Sequence, residues 1–397
     1  MYRTDIYMLC EILGISGTYY EKYEAEALKT YDGDFFSFSH MKKLANEFGL
    51  CDENVKSILH FIINVDENIR KFMWLFYFVQ FNTDEDFSDN IWQIDKWMIP
   101  EQCEKKHPGM LKACVYLAAA ENLRKWVADH SLSDDIFSGY FSRYKYFVEL
   151  NRVSHNTYGL CRLSPFLYGY AKPFMLTIGR LSYQLIKYFN YCEVYENPEG
   201  NRFFAALPTH KYLSNGHIDE NGKIPFYYKT TDTLTAHTFD SMGLLTGKPE
   251  VIKLGEYKKI LSPGDSVATI HIPSGGKLDI DDVKQSICDA YKIINQCLKP
   301  IKAFVCRTWF IDPGLRDIIK EGSNMRSFAD LFDVICNEDN ENHSLFEHIF
   351  VTNRTDLSNL IPKNDFQRKM LARAMRGEKI YWSYGLLKKS VLGDCNK

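Results

Sequence analysis

Hydrophobic residues recur at intervals of three and four positions through the first 150 residues, which is the spacing of helices with one buried face. One series runs from Met41 to Phe48, with Ser39 as its predicted N-cap, and others begin near residues 52, 110 and 133. The aromatic run at 72–79 is typical of a buried core. The pattern therefore predicts a helical N-terminal domain over residues 1–150.

The pattern changes after residue 150. Hydrophobic runs predict strands at 174–178, 182–185 and 203–207, and a polar stretch at 208–255 predicts loops with short strands. From residue 264 onward strands alternate with helices: strands at 266–272, 303–310, 346–351 and 379–387, and helices at 281–296, 313–320 and 365–375. Such units favour parallel neighbouring strands. The predicted fold class is α+β or α/β, with the helical domain followed by a mixed-sheet α/β domain over residues 151–397.

Composition narrows the possible functions. The sequence has 48 Lys and Arg residues against 51 Asp and Glu, and this balance argues against a nucleic-acid module, which needs a basic face. The 11 cysteines are scattered without a Cys-x-x-Cys pair, and the first residues lack the features of a signal peptide. The apolar run at 72–79 is shorter than the roughly 18 residues that a membrane span requires. We predict a cytoplasmic protein with reduced cysteines, no metal site, and no nucleic-acid or membrane partner.

Several short motifs follow one another along residues 155–387. They are Gly179-Arg180-Leu181 with Gln184, Gly264-Asp265-Ser266-Val267, His271-Ile272-Pro273 before Gly275-Gly276, Phe304-Val305-Cys306 with Trp309, and Phe366-Gln367-Arg368. In these motifs the chain resembles the two-domain N-acyltransferases, which join a helical N-terminal domain to a GNAT-like C-terminal domain. The resemblance implies a GNAT-like fold for residues 151–397. It also implies an acyltransferase that uses acetyl-CoA or another acyl-CoA as co-substrate.

The resemblance places the cofactor at the loop after the strand that ends in His271. In GNAT enzymes a loop at this point offers backbone N–H groups to the pyrophosphate of acyl-CoA near a helix N-terminus, where an anion is favoured. It implies cofactor-binding roles for Ile272, Ser274, Gly275 and Gly276. The usual Gln/Arg-x-x-Gly-x-Gly/Ala signature is missing, and acidic residues at 279 and 281 would oppose a pyrophosphate. A tight turn between strand and helix is therefore the alternative.

Three residues are candidate catalytic groups. His271 lies at a strand end, where it is either a general base for an amine or a structural residue bonded to a neighbouring carbonyl. Cys306 is either a nucleophile or a small buried hydrophobic residue in mid-strand. Tyr384 is either an acid that protonates a departing thiolate or a plain strand residue. Direct attack of an amine on a thioester requires a base but no enzyme nucleophile.

Three further residues are candidate substrate-binding groups. Arg180 suits a carboxylate or a phosphate, or it forms a structural ion pair with Asp265 or Asp312. Arg307 lies on the strand face opposite Cys306, and Asn324 follows Ser323 in a pair that helix capping alone would explain.

Two functions of different kinds fit these residues. The first is an acyl-CoA-dependent N-acyltransferase that acts on a small-molecule amine or a peptide acceptor. The second is a non-catalytic module that derives from the GNAT fold and binds a ligand or a protein. Covalent thioester chemistry at Cys306 is a third hypothesis.

Overall fold

A computed structural model describes residues 9–88, 90–161, 164–188, 191–273, 276–339, 349–350 and 357–393. The chain divides into two compact units, an N-terminal unit of residues 1–177 and a C-terminal unit of residues 178–397. This division lies further along the chain than the domain boundary that we predicted after residue 150. No helix among the described residues is long and apolar enough to cross a membrane.

The N-terminal unit is helical, as the hydrophobic spacing predicts. Its helices are α1 (Leu9–Ile12), α2 (Thr18–Lys29), α3 (Phe38–Glu47), α4 (Asp52–Asn64), α5 (Glu67–Phe81), α6 (Trp92–Asp95), α7 (Glu101–Lys106), α8 (Met110–Asp129), α9 (Asp134–His155) and α10 (Pro165–Ala171). The predicted N-cap of α3 is wrong by two residues. Ser37, not Ser39, accepts a hydrogen bond from the backbone N–H of His40.

Helix α8 lies at the centre of this unit and contacts α3, α4, α5, α7, α9 and α10. It is buried along most of its length, so its buried polar side chains need partners on neighbouring helices. Tyr116 on α8 donates to the side-chain oxygen of Gln80, and Tyr144 donates to the carbonyl of Ala113, each at 2.9 Å. The aromatic run of α5 is buried, which confirms the core predicted at 72–79.

The strands are β1 (Met175–Ile178), β2 (Leu181–Lys187), β3 (Cys192–Glu196), β4 (Arg202–Ala206), β5 (Tyr227–Lys229), β6 (Thr233–Ala236), β7 (Glu250–Lys253), β8 (Lys258–Leu261), β9 (Ser266–His271), β10 (Ala303–Thr308), β11 (Phe332–Asp339) and β12 (Tyr381–Leu387). They form a six-stranded sheet in the order β1-β2-β9-β10-β12-β11 and two three-stranded sheets, β4-β3-β8 and β5-β6-β7. In the large sheet β9 and β10 are parallel, whereas β2–β9, β10–β12 and β11–β12 are antiparallel. The predicted mixed-sheet α/β region is therefore confirmed.

The helices of the C-terminal unit with described bounds are α11 (Ile280–Cys297), α12 (Asn324–Ala329), α13 (Asp365–Met375) and α14 (Lys389–Gly393). Helix α11 connects the parallel strands β9 and β10, and its buried residues Val283, Ile287, Ala290 and Ile294 form one face. Ser286 on that face meets the hydroxyl of Tyr183 on β2 at 2.7 Å. The predicted helix at 313–320 is only a 3₁₀ turn, Pro313–Leu315. Of the strand predicted at 346–351, only residues 349–350 are described, and they are helical.

The opposite face of the large sheet packs against the small sheet that contains β3. Val267, Val305 and Leu386 contribute from the large sheet, and Val194 and Leu261 contribute from the small one. This arrangement gives the central strands two covered faces.

Edge strand β11 is covered by two loops of the polar stretch. The backbone N–H of Ile218 donates to the carbonyl of Asn337 at 3.3 Å, and the side chain of Asn337 donates to the carbonyl of Met242 at 2.7 Å. A Cβ added to Gly243 would lie 2.7 Å from Val334, so glycine permits this close approach.

Candidate functional site

The hydrogen-bond ladder between the parallel strands β9 and β10 ends before the strands themselves do. Each strand has six residues, but only Val267–Thr269 pair with Ala303–Val305. Beyond this point the facing edges of β9 and β10 carry no ladder pairs with each other. Backbone N–H and C=O groups in such a place need other partners. The ladder end is therefore where an extended ligand has hydrogen-bonding groups to meet.

The predicted residues His271, Arg307 and Tyr384 lie around this ladder end on one face of the sheet. Arg307 pairs with Tyr384 across β10 and β12, and His271 pairs with Ser182 across β9 and β2. One step earlier in the register lie Gln184, Thr269, Val305 and Leu386, each on its own strand. Side chains at alternate positions of a strand share a face. The structure thus brings two predicted catalytic residues and one predicted substrate-binding residue into one row.

His271 is half-buried and is oriented by Gln184. Its Nε2 lies 3.1 Å from Oε1 of Gln184. An amide oxygen only accepts, so with this amide orientation Nε2 carries the proton and the ring lone pair lies on Nδ1. Gln184 thus fixes the orientation of the imidazole ring.

Arg307 and Tyr384 form a mixed cationic and aromatic surface. Nη2 of Arg307 donates to Glu338 at 2.5 Å, and its guanidinium lies 5.6 Å from the ring centre of Trp382 and 5.9 Å from that of Tyr384. Burial raises the pKa of Tyr384 to about 12, although the nearby Arg307 lowers it in part. The phenol therefore stays protonated at neutral pH and remains a possible proton donor.

Two aromatic residues that the sequence did not single out extend this surface. The ring of Tyr191 lies 4.5 Å from that of Tyr384 and 4.7 Å from that of His210, with the last pair stacked. Tyr191 directly precedes β3, and His210 follows β4. Only the fold brings them to β12.

Arg180 holds the loop that follows β9. Its guanidinium donates to the backbone carbonyls of Lys277 at 2.7 Å, Pro273 at 3.0 Å and Gly276 at 3.4 Å. Of the ion-pair partners considered for it, Asp265 pairs with Lys302 at 2.7 Å. Arg180 therefore anchors the predicted cofactor loop from the end of β1.

The predicted cofactor-binding residues are placed only in part. Ile272 is half-buried directly after β9, and Gly276 has a φ of +73°. Ser274 and Gly275 lie outside the described residues. The N-terminus of α11 is capped by Asp279, which accepts a hydrogen bond from the backbone N–H of Asp281 at 3.0 Å. A carboxylate thus already occupies the first turn of that helix.

Cys306 and Asn324 do not join the row. Cys306 points to the other face, is completely buried, and donates to the carbonyl of Ile270 at 3.4 Å. Burial raises the pKa of its thiol, so a thiolate is disfavoured. Asn324 is an exposed residue in the first turn of α12, which Ser323 caps as predicted. Cys288 in α11 is disulfide-bonded, which the scattered cysteines did not predict.

The described part of the chain contains no cluster of side chains that could bind a metal ion. Groups of three or more His, Cys, Asp or Glu side chains with suitable geometry are absent there. The site is therefore built from an imidazole, a guanidinium, a phenol and backbone groups.

Strands β9 and β10 are parallel and joined by a helix, and their antiparallel neighbours complete the mixed sheet of an α/β domain. The model of the GNAT-like C-terminal domain family matches residues 175–387. The chain belongs to this family. Compared with curated proteins by sequence, it has no match.

Solved acyltransferase structures share the fold along nearly the whole chain. One is an acyltransferase in complex with CoA and 10C-teicoplanin, with a TM-score of 0.62, 12% identity, and coverage of 97% of this chain and 99% of that chain. Another is a variant of the acyltransferase orf11* in complex with octanoyl-CoA, with a TM-score of 0.60, 12% identity and the same coverage. These matches confirm the predicted resemblance to two-domain acyltransferases. At such identities they establish the fold.

Proposed function

We propose that this protein is an acyl-CoA-dependent N-acyltransferase that acts on an amine of a small molecule or peptide. The observation that carries the proposal is the row of His271, Arg307 and Tyr384 at the end of the β9–β10 ladder. The fold supports it, because the relatives of the same two-part architecture are acyltransferases in complexes with octanoyl-CoA, decanoyl-CoA or CoA. The fold alone does not determine the chemistry, so the proposal depends mainly on this row of side chains.

The ladder end suits the pantetheine arm of acyl-CoA. That arm is extended and carries two amides, so it can pair with unpaired strand edges much as an added strand does. The loop held by Arg180 follows β9 directly and lies where the pyrophosphate would emerge. Acyl-CoA would therefore run along β9 toward the His271 row.

The reaction needs two proton transfers. The amine nitrogen attacks the thioester carbonyl carbon, and His271 accepts a proton from that nitrogen. Collapse of the tetrahedral intermediate then breaks the C–S bond. The departing sulfur takes a proton from Tyr384 or from water. An amide and free CoA result, and no enzyme nucleophile is involved. Arg307, beside Trp382 and Tyr384, would orient an acceptor that carries an anionic or planar group.

Binding and turnover test the proposal separately. Acetyl-CoA, octanoyl-CoA and CoA are titrated into the protein by calorimetry, and CoA release is then followed with a panel of primary amines and peptides. We expect micromolar binding of an acyl-CoA and thiol release that depends on the amine, with the acylated product identified by mass. Failure of every acyl-CoA to bind would refute the proposal.

A binding module without catalysis is the second candidate function. It is favoured by Asp279, whose carboxylate caps α11 where a phosphate-binding helix would be open, and by the missing loop signature. Acyl-CoA binding without turnover over the whole amine panel would support this candidate instead.

Replacement of Arg180 by alanine is expected to weaken acyl-CoA binding by about tenfold or more, which corresponds to roughly 1.4 kcal/mol. The loop after β9 loses three carbonyl contacts to one guanidinium and must be ordered by the ligand instead. Calorimetric titration of acyl-CoA measures the effect. Arg152→Ala is the matched control, because Arg152 is exposed and pairs with Glu149 on the same helix. Equal affinities of the two variants would contradict the role assigned to Arg180.

A further inference from the structure

Thr269 carries a buried hydroxyl that has no hydrogen-bond partner. The residue is 9% exposed, and its Oγ1 is the one such orphaned side-chain atom among the described residues of the large sheet. Burial removes a hydroxyl from water, and folded proteins normally recover that cost with an internal hydrogen bond. An orphaned hydroxyl therefore requires an explanation.

Two buried serine hydroxyls nearby follow the usual rule, whereas the buried hydroxyl of Tyr212, outside the large sheet, is also unpaired. Ser383 on β12 donates to Oδ1 of Asn337 at 2.6 Å, and Ser286 on α11 meets the hydroxyl of Tyr183 at 2.7 Å. Local packing alone does not call for a hydroxyl at position 269, because Val267 and Val305 on the same face are apolar. Valine would fill nearly the same volume without an unpaired polar atom.

The position of Thr269 points to the missing partner. It forms the last pair of the β9–β10 ladder with Val305, and Gln184 lies opposite it on β2. His271 follows two residues later on the same face. The hydroxyl thus lies at the ladder end that we assign to acyl-CoA, on the face of the sheet that carries the proposed base.

We propose that the hydroxyl of Thr269 donates a hydrogen bond to the thioester carbonyl oxygen of acyl-CoA, an inference that rests on the proposed function. Alternate residues of a strand are about 6.6 Å apart. The thioester carbonyl and the attacking amine can lie side by side over this span. The carbonyl oxygen then accepts from Thr269, and the amine nitrogen donates to His271. A carbonyl oxygen gains negative charge as the amine attacks, so the donor stabilises the transition state more than the bound thioester.

The test compares Thr269→Val, which removes the donor, with Thr269→Ser, which keeps it. We expect Thr269→Val to lower kcat by about tenfold to a hundredfold and Thr269→Ser to stay within about threefold of the wild type. Binding of CoA, which has no thioester, should be equal in all three proteins. This separation of kcat from CoA affinity distinguishes a donor to the reacting carbonyl from a residue that only packs.

Thermal unfolding of the ligand-free protein tests the premise independently. Thr269→Val should melt no lower than the wild type, because its hydroxyl has no partner to lose. Ser383→Ala, which removes a paired hydroxyl from the same sheet, should melt about 2–4 °C lower. A comparable loss in Thr269→Val would overturn the premise.

The outcomes also separate this inference from the proposed function. Turnover by the wild type with an unchanged kcat in Thr269→Val would overturn the inference and leave the acyltransferase proposal intact. Failure of the wild type to bind any acyl-CoA would overturn both.

Discussion

Replacement of His271 by alanine is expected to lower kcat by about 10²–10³-fold while the affinity for acyl-CoA stays nearly unchanged. The imidazole is the proposed proton acceptor for the amine, and general bases contribute rate factors of about this size. Gln184 orients the ring, so His271 is prepared for the task before the acceptor arrives. Steady-state thiol release gives kcat, and calorimetry gives the affinity for acyl-CoA.

The pH dependence of the variant sharpens this result. A base must be unprotonated, so acidification should lower wild-type activity both through His271 and through protonation of the acceptor amine. The residual activity of His271→Ala should keep only the part of this dependence that comes from the amine. His130→Ala is the control, because His130 is exposed on the N-terminal unit and its ring contacts Trp126 of the preceding helix. Equal rates for His271→Ala and His130→Ala would exclude His271 as the base.

Replacement of Gly109 by alanine is expected to reduce the free energy of unfolding by about 3 kcal/mol or more. Gly109 precedes α8 with a φ of +72°, and an added Cβ would lie 2.3 Å from the carbonyl oxygen of Leu160. That neighbour is backbone, which moves only if the segment moves. The backbone N–H of Leu160 also donates to the carbonyl of Gly109 at 3.0 Å, so the substitution disturbs a paired contact. Urea denaturation of the whole chain measures the loss.

Gly14→Ala separates backbone strain from steric overlap. Gly14 has a similar φ of +64°, but a Cβ there would meet no atom within 4 Å. This control should lose only about 1–2 kcal/mol, the cost of a left-handed conformation. Both glycines belong to the N-terminal unit, so both changes act on the same unfolding transition. If the two variants are equally stable, Gly109 does not lie as close to Leu160 as described.

Elements with a clear period were predictable from the sequence. The buried face of α11 repeats at helical spacing from Val283 to Ile294, and α13 was predicted with its observed bounds. Strand β11 was missed for a physical reason. Phe328 and Leu331 fit a helical spacing that runs into Phe332, although the helix ends at Ala329 and the chain is extended from Phe332 onward. The spacing of hydrophobic residues does not reveal that the chain pairs with β12 from Phe332 onward.

The candidate site was predictable as single residues but not as an arrangement. The sequence singled out His271, Arg307 and Tyr384 separately, whereas their common row depends on the order and register of β9, β10 and β12. Thr269 had no signal in the sequence, because a threonine in a strand is ordinary. Only the hydrogen bonds of the folded chain distinguish its hydroxyl from the paired one of Ser383.

The loops over β11 have a further consequence for the behaviour of the protein at high concentration. An open edge strand offers a row of unpaired backbone groups to any other extended chain, and so invites self-association. Ile218 and Met242 occupy part of that edge through Asn337, and the tight fit of Gly243 against Val334 keeps the covering loop in place. We therefore expect the long polar stretch at 208–255 to limit self-association at β11, and a chain shortened within this stretch to self-associate more readily.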